Sequence, residues 1–419
     1  MNPKQILSSA VLLAVGGCMV GPDYRAPKTP VPDHFGATTQ PVTTQPTTNP
    51  ASTQPVAEVD LRRWWETFND PTLNHLIDQA IRSNLDVRLA QARVLEARAQ
   101  LEFNRGALFP TVDGNAQYTR SRASKNAFAF GGGGTTGTTG GTTGGTGTGG
   151  STGSTGSSSG RSGFAFGFGE QNLYQARFDA GWEVDVFGGT RRAIEAAQYT
   201  LESQVEARRN ALVTLLSEVA RNYVLLRGYQ HELQIVQHNV DAQQDTLNLQ
   251  KSKFQAGIAT DLDVAQAEAL VNSTQSQIPT LQTNIQQAIH RLGVLLNVGP
   301  DALESQLANP GPLPQGPANI PPGLPSDLVR RRPDVRQAER ALAASTANIG
   351  VAISDLFPKF SLTGSLGLES ISLKSFANSS SVFWSIGPQL TWRIFDAGQI
   401  WANVHIQNAR QQEALVQYQ

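Results

Sequence analysis

The stretch YQARFDAGWEVDVFGG, residues 174–189, decides the fold. Tyr174, Ala176, Phe178, Ala180, Trp182, Val184 and Val186 alternate with Gln175, Arg177, Asp179, Gly181, Glu183 and Asp185. Side chains on a strand point to opposite faces with a period of two, so this is a long β-strand with one apolar and one charged face. Gly188 and Gly189 follow Phe187 and let the backbone turn from strand to helix. A helix starts near Thr190 and meets no proline or other stop before Ala256 and Gly257, despite Gly228. At 1.5 Å per residue, roughly sixty-five residues make a helix about 100 Å long. That length is foreign to a compact domain. Leu212, Leu215, Leu216, Val219, Tyr223 and Leu226 form a narrow apolar stripe, and polar residues cover the rest. A coiled coil or a thin helical wall has this pattern.

Upstream, Asp70 and Pro71 signal a helix start, and Leu73, Leu76, Ile77, Ala80 and Ile81 recur at helical spacing. The pattern resumes from Leu85 to Leu101 and stops at Leu108-Phe109-Pro110. A strand-like stretch then runs to about Phe130. Residues 131–163 are almost wholly Gly, Ser and Thr, the composition of a flexible loop. Their Gly-x-Gly patterns are weak evidence for a phosphate cradle, because no strand, helix or Gly-Lys-Ser/Thr frames them. Downstream of the long helix, Asp261 or Asp263 is expected to cap a returning helix that reaches about Asn297, with a kink at Pro279. Residues 300–325 form a proline-rich crossing.

The pattern then restarts. Residues 334–355 are helical, and Leu356-Phe357-Pro358 repeats Leu108-Phe109-Pro110. Phe360, Leu362, Leu366 and Leu368 face away from Ser361, Thr363 and Ser365. In a second strand Val382, Trp384, Ile386, Leu390, Trp392 and Ile394 alternate with Ser385, Gly387, Gln389, Thr391 and Arg393. Phe395-Asp396-Ala397-Gly398 closes it as Phe187-Gly188-Gly189 closed the first, and another helix begins. Phe109 to Phe187 spans 78 positions and Phe357 to Phe395 spans 38; most of the difference of 40 is the Gly-rich stretch.

Four strands cannot close a barrel around a hole. Left open in lipid, their edges would carry unsatisfied backbone groups, each costing several kcal/mol. Copies must therefore share a barrel, and three copies supply about twelve strands, enough for a lumen. Apolar faces would meet lipid, while Arg177, Asp179 and Gln389 would meet water. Trp182, Trp384 and Trp392 suit membrane-facing aromatic positions. A soluble β-sandwich is the alternative, and the long helix has no place in one. The expected fold class is an α+β membrane protein with an internal repeat of helix, β-hairpin and long helices. Its trimer would form a 12-stranded β-barrel, four strands per subunit, on an α-helical tunnel.

The amino terminus predicts export. Lys4 precedes a short apolar core, Ile6 to Val15, followed by Gly16, Gly17 and the only cysteine, Cys18. Val15-Gly16-Gly17-Cys18 looks like a bacterial lipobox, with Cys18 as the lipidated mature end; an ordinary signal with an incidental cysteine is the alternative. Acyl chains anchor firmly, at about 0.8 kcal/mol per buried methylene. Met19 follows rather than an aspartate, so nothing argues for inner-membrane retention. Residues 24–59, rich in Pro, Thr and Gln, cannot bury a core and are expected to form an extended tether. The expected organisation is a signal peptide (1–17), anchor and tether (18–69), first repeat (70–300), crossing (301–332) and second repeat (333–419).

Net charge of −1 gives no electrostatic case for nucleic acid. No run of eighteen apolar residues marks a transmembrane helix. Six histidines are scattered; His231 and His238, seven apart on a helix, stand about 10 Å apart along it, too far to share a metal. Met1 and Met19 are the only methionines, so no methionine cluster favours metal efflux. No catalytic group, metal site or cofactor is expected beyond the covalent lipid on Cys18.

Several motifs together resemble the TolC-like outer-membrane factor family, in the lipoprotein branch used with RND-type drug-efflux pumps. They are residues 17–24 (GCMVGPDY), Trp64-Trp65, residues 187–192 (FGGTRR), Ala256-Gly257-Ile258 through Asp263-Val264, and residues 326–334 (SDLVRRRPD). The resemblance spans nearly the whole chain. It implies a homotrimer with a shared barrel in the outer membrane of a Gram-negative bacterium and a tunnel crossing the periplasm. It implies docking to a periplasmic adaptor protein and an inner-membrane efflux pump, with small molecules such as drugs leaving passively. Ala256, Gly257 and Ile258 match the hairpin tip that the adaptor contacts. Asp261 and Asp263 match the periplasmic gate, although helix capping alone also accounts for them. An outer-membrane channel for type I protein secretion and a lipid-anchored coiled-coil scaffold are the alternative functions. Two departures stand out. The Gly-rich insert falls where the family has an external loop. The second repeat offers only Ala397 to Gln419 where the first gives 108 positions, Thr190 to Asn297, so roughly eighty residues are expected to be missing, including a second tip and the main aspartate ring.

Overall fold

A computed structural model describes residues 19–27, 61–122, 170–316 and 329–419. Cys18, the expected signal peptide, residues 28–60 of the expected tether and the 131–163 loop lie outside the described residues. The chain divides into a helical unit (residues to 108, 185–358 and from 392 on) and a sheet unit (109–184 and 359–391).

In the helical unit, α1 (Pro71–Ser83) starts where the sequence expects. The Asp70 carboxylate accepts from the Thr72 and Leu73 N–H groups at 2.8 and 3.1 Å, and Pro71 opens the helix. Helix α2 (Leu85–Gly106) is capped by Asn84, which accepts from the Val87 N–H. Helix α3 (Gly189–Gln255) is 67 residues long. Helices α4 (Asp261–Gln275) and α5 (Ile278–Leu295) return along it. The expected kink at Pro279 is displaced: the chain breaks at Ser276–Gln277, and Pro279 opens α5, where a missing N–H costs nothing. Helix α6 (Pro333–Ser354) packs along α3, and α7 (Gln399–Tyr418) packs on α6 as α2 packs on α3.

The core follows from the stripe. Leu215, Val219, Tyr223 and Leu226 of α3 meet Leu73, Leu76 and Ile77 of α1 and Ile289 and Leu292 of α5. Each fully buried leucine contributes about 1.5–3 kcal/mol. Trp65 is buried in the same cluster, with Trp64 packed edge-on against it. One polar chain runs through this core. The Tyr223 hydroxyl donates to Asp70 Oδ2 at 2.7 Å and accepts from Arg227 Nε at 3.2 Å. Arg227 Nη1 donates to the Asn309 carbonyl and Gln230 Nε2 to that of Leu307, at 2.8 and 2.6 Å. These bonds tie the start of the crossing to α3.

Among the described residues the sheet unit has four strands, β1 (Thr111–Arg122), β2 (Glu170–Val184), β3 (Lys359–Ser370) and β4 (Val382–Thr391). Their order is β1-β2-β3-β4, with every neighbour antiparallel. The two hairpins thus join through β2 and β3 into one sheet, not the two sheets of a sandwich. In register, Phe178 lies between Gly114 and Leu366, and Trp182 lies opposite Leu362. Leu366 in turn lies opposite Trp384. Strand β2 stops two residues short of Val186 and β4 three short of Ile394, although the alternation continues. Beyond β4, the Trp392 indole donates to the Leu356 carbonyl at 3.1 Å.

Candidate functional site

The sheet separates its chemistry by face. Tyr118, Tyr174, Phe178, Trp182, Leu366, Trp384 and Ile386 share one side, because each cross-strand partner keeps the period of two. Phe178, Leu366, Trp384 and Ile386 are all exposed. The other side carries Asp113, Asn115, Arg177, Asp179, Glu183 and Glu369. There Asn115 Nδ2 donates to Asp179 Oδ2 at 2.9 Å, Arg177 pairs with Asp179 at 2.9 Å, and Gln175 Nε2 donates to Glu369 at 3.1 Å. Toward the Gly-rich loop the apolar face gives way to Arg120, which pairs with Glu170. An exposed apolar patch of this extent marks a surface meant for lipid or protein. Among the described residues strands β1 and β4 each have one neighbour, which leaves both edges of the sheet open. Among the described residues no helix is long and apolar enough to cross a membrane.

The second site is the turn between α3 and α4. Gly257 adopts φ +71°, a left-handed conformation that closes the helix. The Gly257 and Ile258 N–H groups donate to the Phe254 and Lys253 carbonyls, both at 2.9 Å. Ala256 is the last helical cap, and Ile258 beyond it is 76% exposed, beside exposed Phe254 and Leu262. The expected cap is corrected here: Thr260, not Asp261 or Asp263, caps α4. Asp263 completes the capping box from the third position. Its carboxylate accepts from the Thr260 N–H at 2.8 Å and hydroxyl at 2.7 Å. Those bonds, the backbone one first, hold its pKa below the ordinary carboxylate value. Asp261 stands exposed in the first turn, where its charge favours the helix N-terminus.

The third site is one that sequence reasoning missed. Residues 19–24 are seated in the helical unit, with the Val20 N–H donating to the Phe187 carbonyl at 3.1 Å. The buried guanidinium of Arg192 holds the Val20 and Gly21 carbonyls and the Asp23 carboxylate. The motifs 17–24 and 187–192 both stand out in the sequence, but nothing in either says that they meet. In the 326–334 motif, Pro333 opens α6 and Arg332 grips Asp334 at 2.6 Å, holding its carboxyl pKa down. His231 and His238 are exposed on α3. Among the described residues no group of three or more His, Cys, Asp or Glu could hold a metal ion.

Comparison with known proteins follows the same outline. The sequence profile described as "Outer membrane efflux protein" matches residues 76–298 and 324–419, well over half the chain. Nodulation protein T of Rhizobium leguminosarum bv. viciae is 31% identical over 399 residues, covering 95% of this chain and 71% of that protein. The solvent efflux pump outer membrane protein SrpC of Pseudomonas putida is 31% identical over 394 residues, covering 94% of this chain and 74% of its own length. The solved structure of the outer-membrane channel OprN superposes with a TM-score of 0.76 at 32% identity, covering 96% of this chain and 79% of that one.

Proposed function

The chain belongs to the outer membrane efflux protein family, and from that premise we propose that three copies pool their sheets into one twelve-stranded barrel. The homotrimer is an outer-membrane exit duct of a tripartite efflux system in a Gram-negative bacterium. One observation carries this: the described residues form a four-stranded sheet with an exposed apolar face, a charged opposite face and two open edges. In hydrocarbon an open edge leaves backbone groups unsatisfied, so β4 of one copy must pair with β1 of the next until the ring closes. The charged faces then line water and the apolar faces meet lipid. The helices build the wall of the periplasmic tunnel. Small molecules pass through it by diffusion, and the energy comes from an inner-membrane pump joined through a periplasmic adaptor. The exposed apolar tip at Ala256, Gly257 and Ile258 is the surface the adaptor grips, and Asp261 and Asp263 beside it belong to the periplasmic gate. Cys18 carries the lipid that tethers each subunit. Protein extracted in detergent is expected to run as a trimer and to pass steady current across planar bilayers. A monomer that stays in solution without detergent, or a trimer that passes no ions, overturns the proposal.

A further inference from the structure

Residues 19–24 occupy a seat built to their shape. The Arg192 side chain is only 2% exposed. Its Nε donates to the Val20 carbonyl at 3.1 Å, and Nη2 donates to the Gly21 carbonyl at 3.2 Å and to Asp23 Oδ1 at 2.7 Å. Nη1 is held by Glu195 Oε2 at 2.7 Å. Burial works against the charge of this group, and the bonds to Asp23 and Glu195 outweigh it, raising its pKa above the ordinary arginine value.

Three glycines make the close approach. Gly21 has φ +94°, and a Cβ there would lie 2.4 Å from the Gly350 Cα. A Cβ on Gly350 would meet the Arg192 Cδ at 2.9 Å, and one on Gly188, at φ +82°, would meet the Met19 Cα at 2.9 Å. Beyond them the Tyr24 ring lies against Tyr199, centroids 6.0 Å apart, and its hydroxyl reaches Glu339 at 3.4 Å. Arg192 and Tyr199 belong to α3; Gly350 and Glu339 belong to α6. One short segment therefore touches the helix that follows the first hairpin and the helix that precedes the second. Next to it, Phe187 stacks on Phe357 with centroids 4.7 Å apart, joining the same two junctions.

We propose that residues 19–24 are a built-in ligand for this seat, and that their docking on Arg192 clamps α3 to α6 where the two repeats meet. An empty seat would take two carbonyls and a carboxylate from Arg192 and leave Glu195 as its remaining partner, so the grip on 19–24 favours the docked state. Docking thus drives the junction closed. The clamp rests on the helical unit alone and is independent of the barrel.

Hydrogen exchange of the full chain in detergent tests it. Gly21→Ala cannot keep the approach to Gly350, yet it lies outside every helix, so the helices still form. Amides in 19–24 are expected to lose protection, and those in 188–203 and 343–357 to exchange roughly tenfold faster or more, as a local opening predicts. Arg192→Lys keeps the charge but loses the fork that grips two carbonyls at once, and is expected to release 19–24 in the same way. Release of 19–24 with both helical segments unmoved overturns the clamp. So does free-peptide exchange of 19–24 in the wild type.

Discussion

At the phenol of Tyr24, burial first and the Glu339 carboxylate second push ionisation up from 10.0 to about 12, with Arg340 opposing and Tyr418 adding to the rise. The folded state therefore favours the neutral phenol. That preference is fully present below pH 10, the unfolded value, and is lost as pH rises through about 12. Tyr24→Phe has no such proton to lose. The gap in unfolding midpoint between wild type and Tyr24→Phe should be constant below pH 10 and should shift against the wild type between pH 10 and 12. A gap that stays constant across that window contradicts the placement of Tyr24 beside Glu339. None of these contacts was legible in the sequence. Tyr24 and Glu339 lie 315 positions apart, as Asp70 and Tyr223 lie 153 apart, and a hydrogen bond leaves no periodic trace in a chain. What was legible at this scale was local: Asp70 and Pro71 as a helix start, because a cap bonds only its own first turn.

Elements were legible wherever one physical period ran long enough. The stripe from Leu215 to Leu226 placed α3, and the alternation from Tyr174 to Val184 placed β2. Their ends were harder. Thr260, Asp261 and Asp263 are all good caps, and only the path of the turn after Gly257 selects Thr260. Strand β4 stops at Thr391 despite continued alternation, and the Trp392 indole bonds to Leu356 instead. The tip between α3 and α4 allows structure and function to be separated. A Cβ on Gly257 would meet no atom within 4 Å, so Gly257→Ala costs only its backbone, φ +71°. That penalty is about 1–2 kcal/mol. It should appear as faster exchange of 250–262 without a lower global melting temperature. Ile258→Ser leaves the turn's hydrogen bonds alone, since they use backbone groups, but removes its most exposed apolar side chain. It should weaken adaptor binding while exchange at the tip stays as in the wild type. Equal adaptor affinity for Ile258→Ser and wild type would remove the tip from the docking surface.

At the scale of the whole molecule, the repeat was readable because Leu-Phe-Pro and Phe-Gly or Phe-Asp signals recur at matching offsets, but assembly is a property of edges that one chain leaves unpaired. It is best tested by two neighbouring residues that the barrel separates. Ile386 is 69% exposed on the apolar face, opposite Gly364 and two residues from Trp384. Ser385 points the other way, its hydroxyl 2.7 Å from that of Ser365. If the apolar face meets lipid, an arginine at position 386 sits in hydrocarbon and costs about 2–4 kcal/mol near the bilayer midplane. A closed ring repeats that cost in every copy, so Ile386→Arg should lose the detergent-stable trimer and its place in the membrane fraction. Ser385→Arg puts the same charge into water, so trimer and conductance should survive. The added ring of cations should shift the reversal potential in a salt gradient toward anions. A soluble sheet would tolerate both substitutions alike, because both positions would then be exposed to solvent. Fractionation and bilayer recording of this pair therefore decide whether the two faces of the sheet see different solvents, a difference that no single copy can create without partners on both edges.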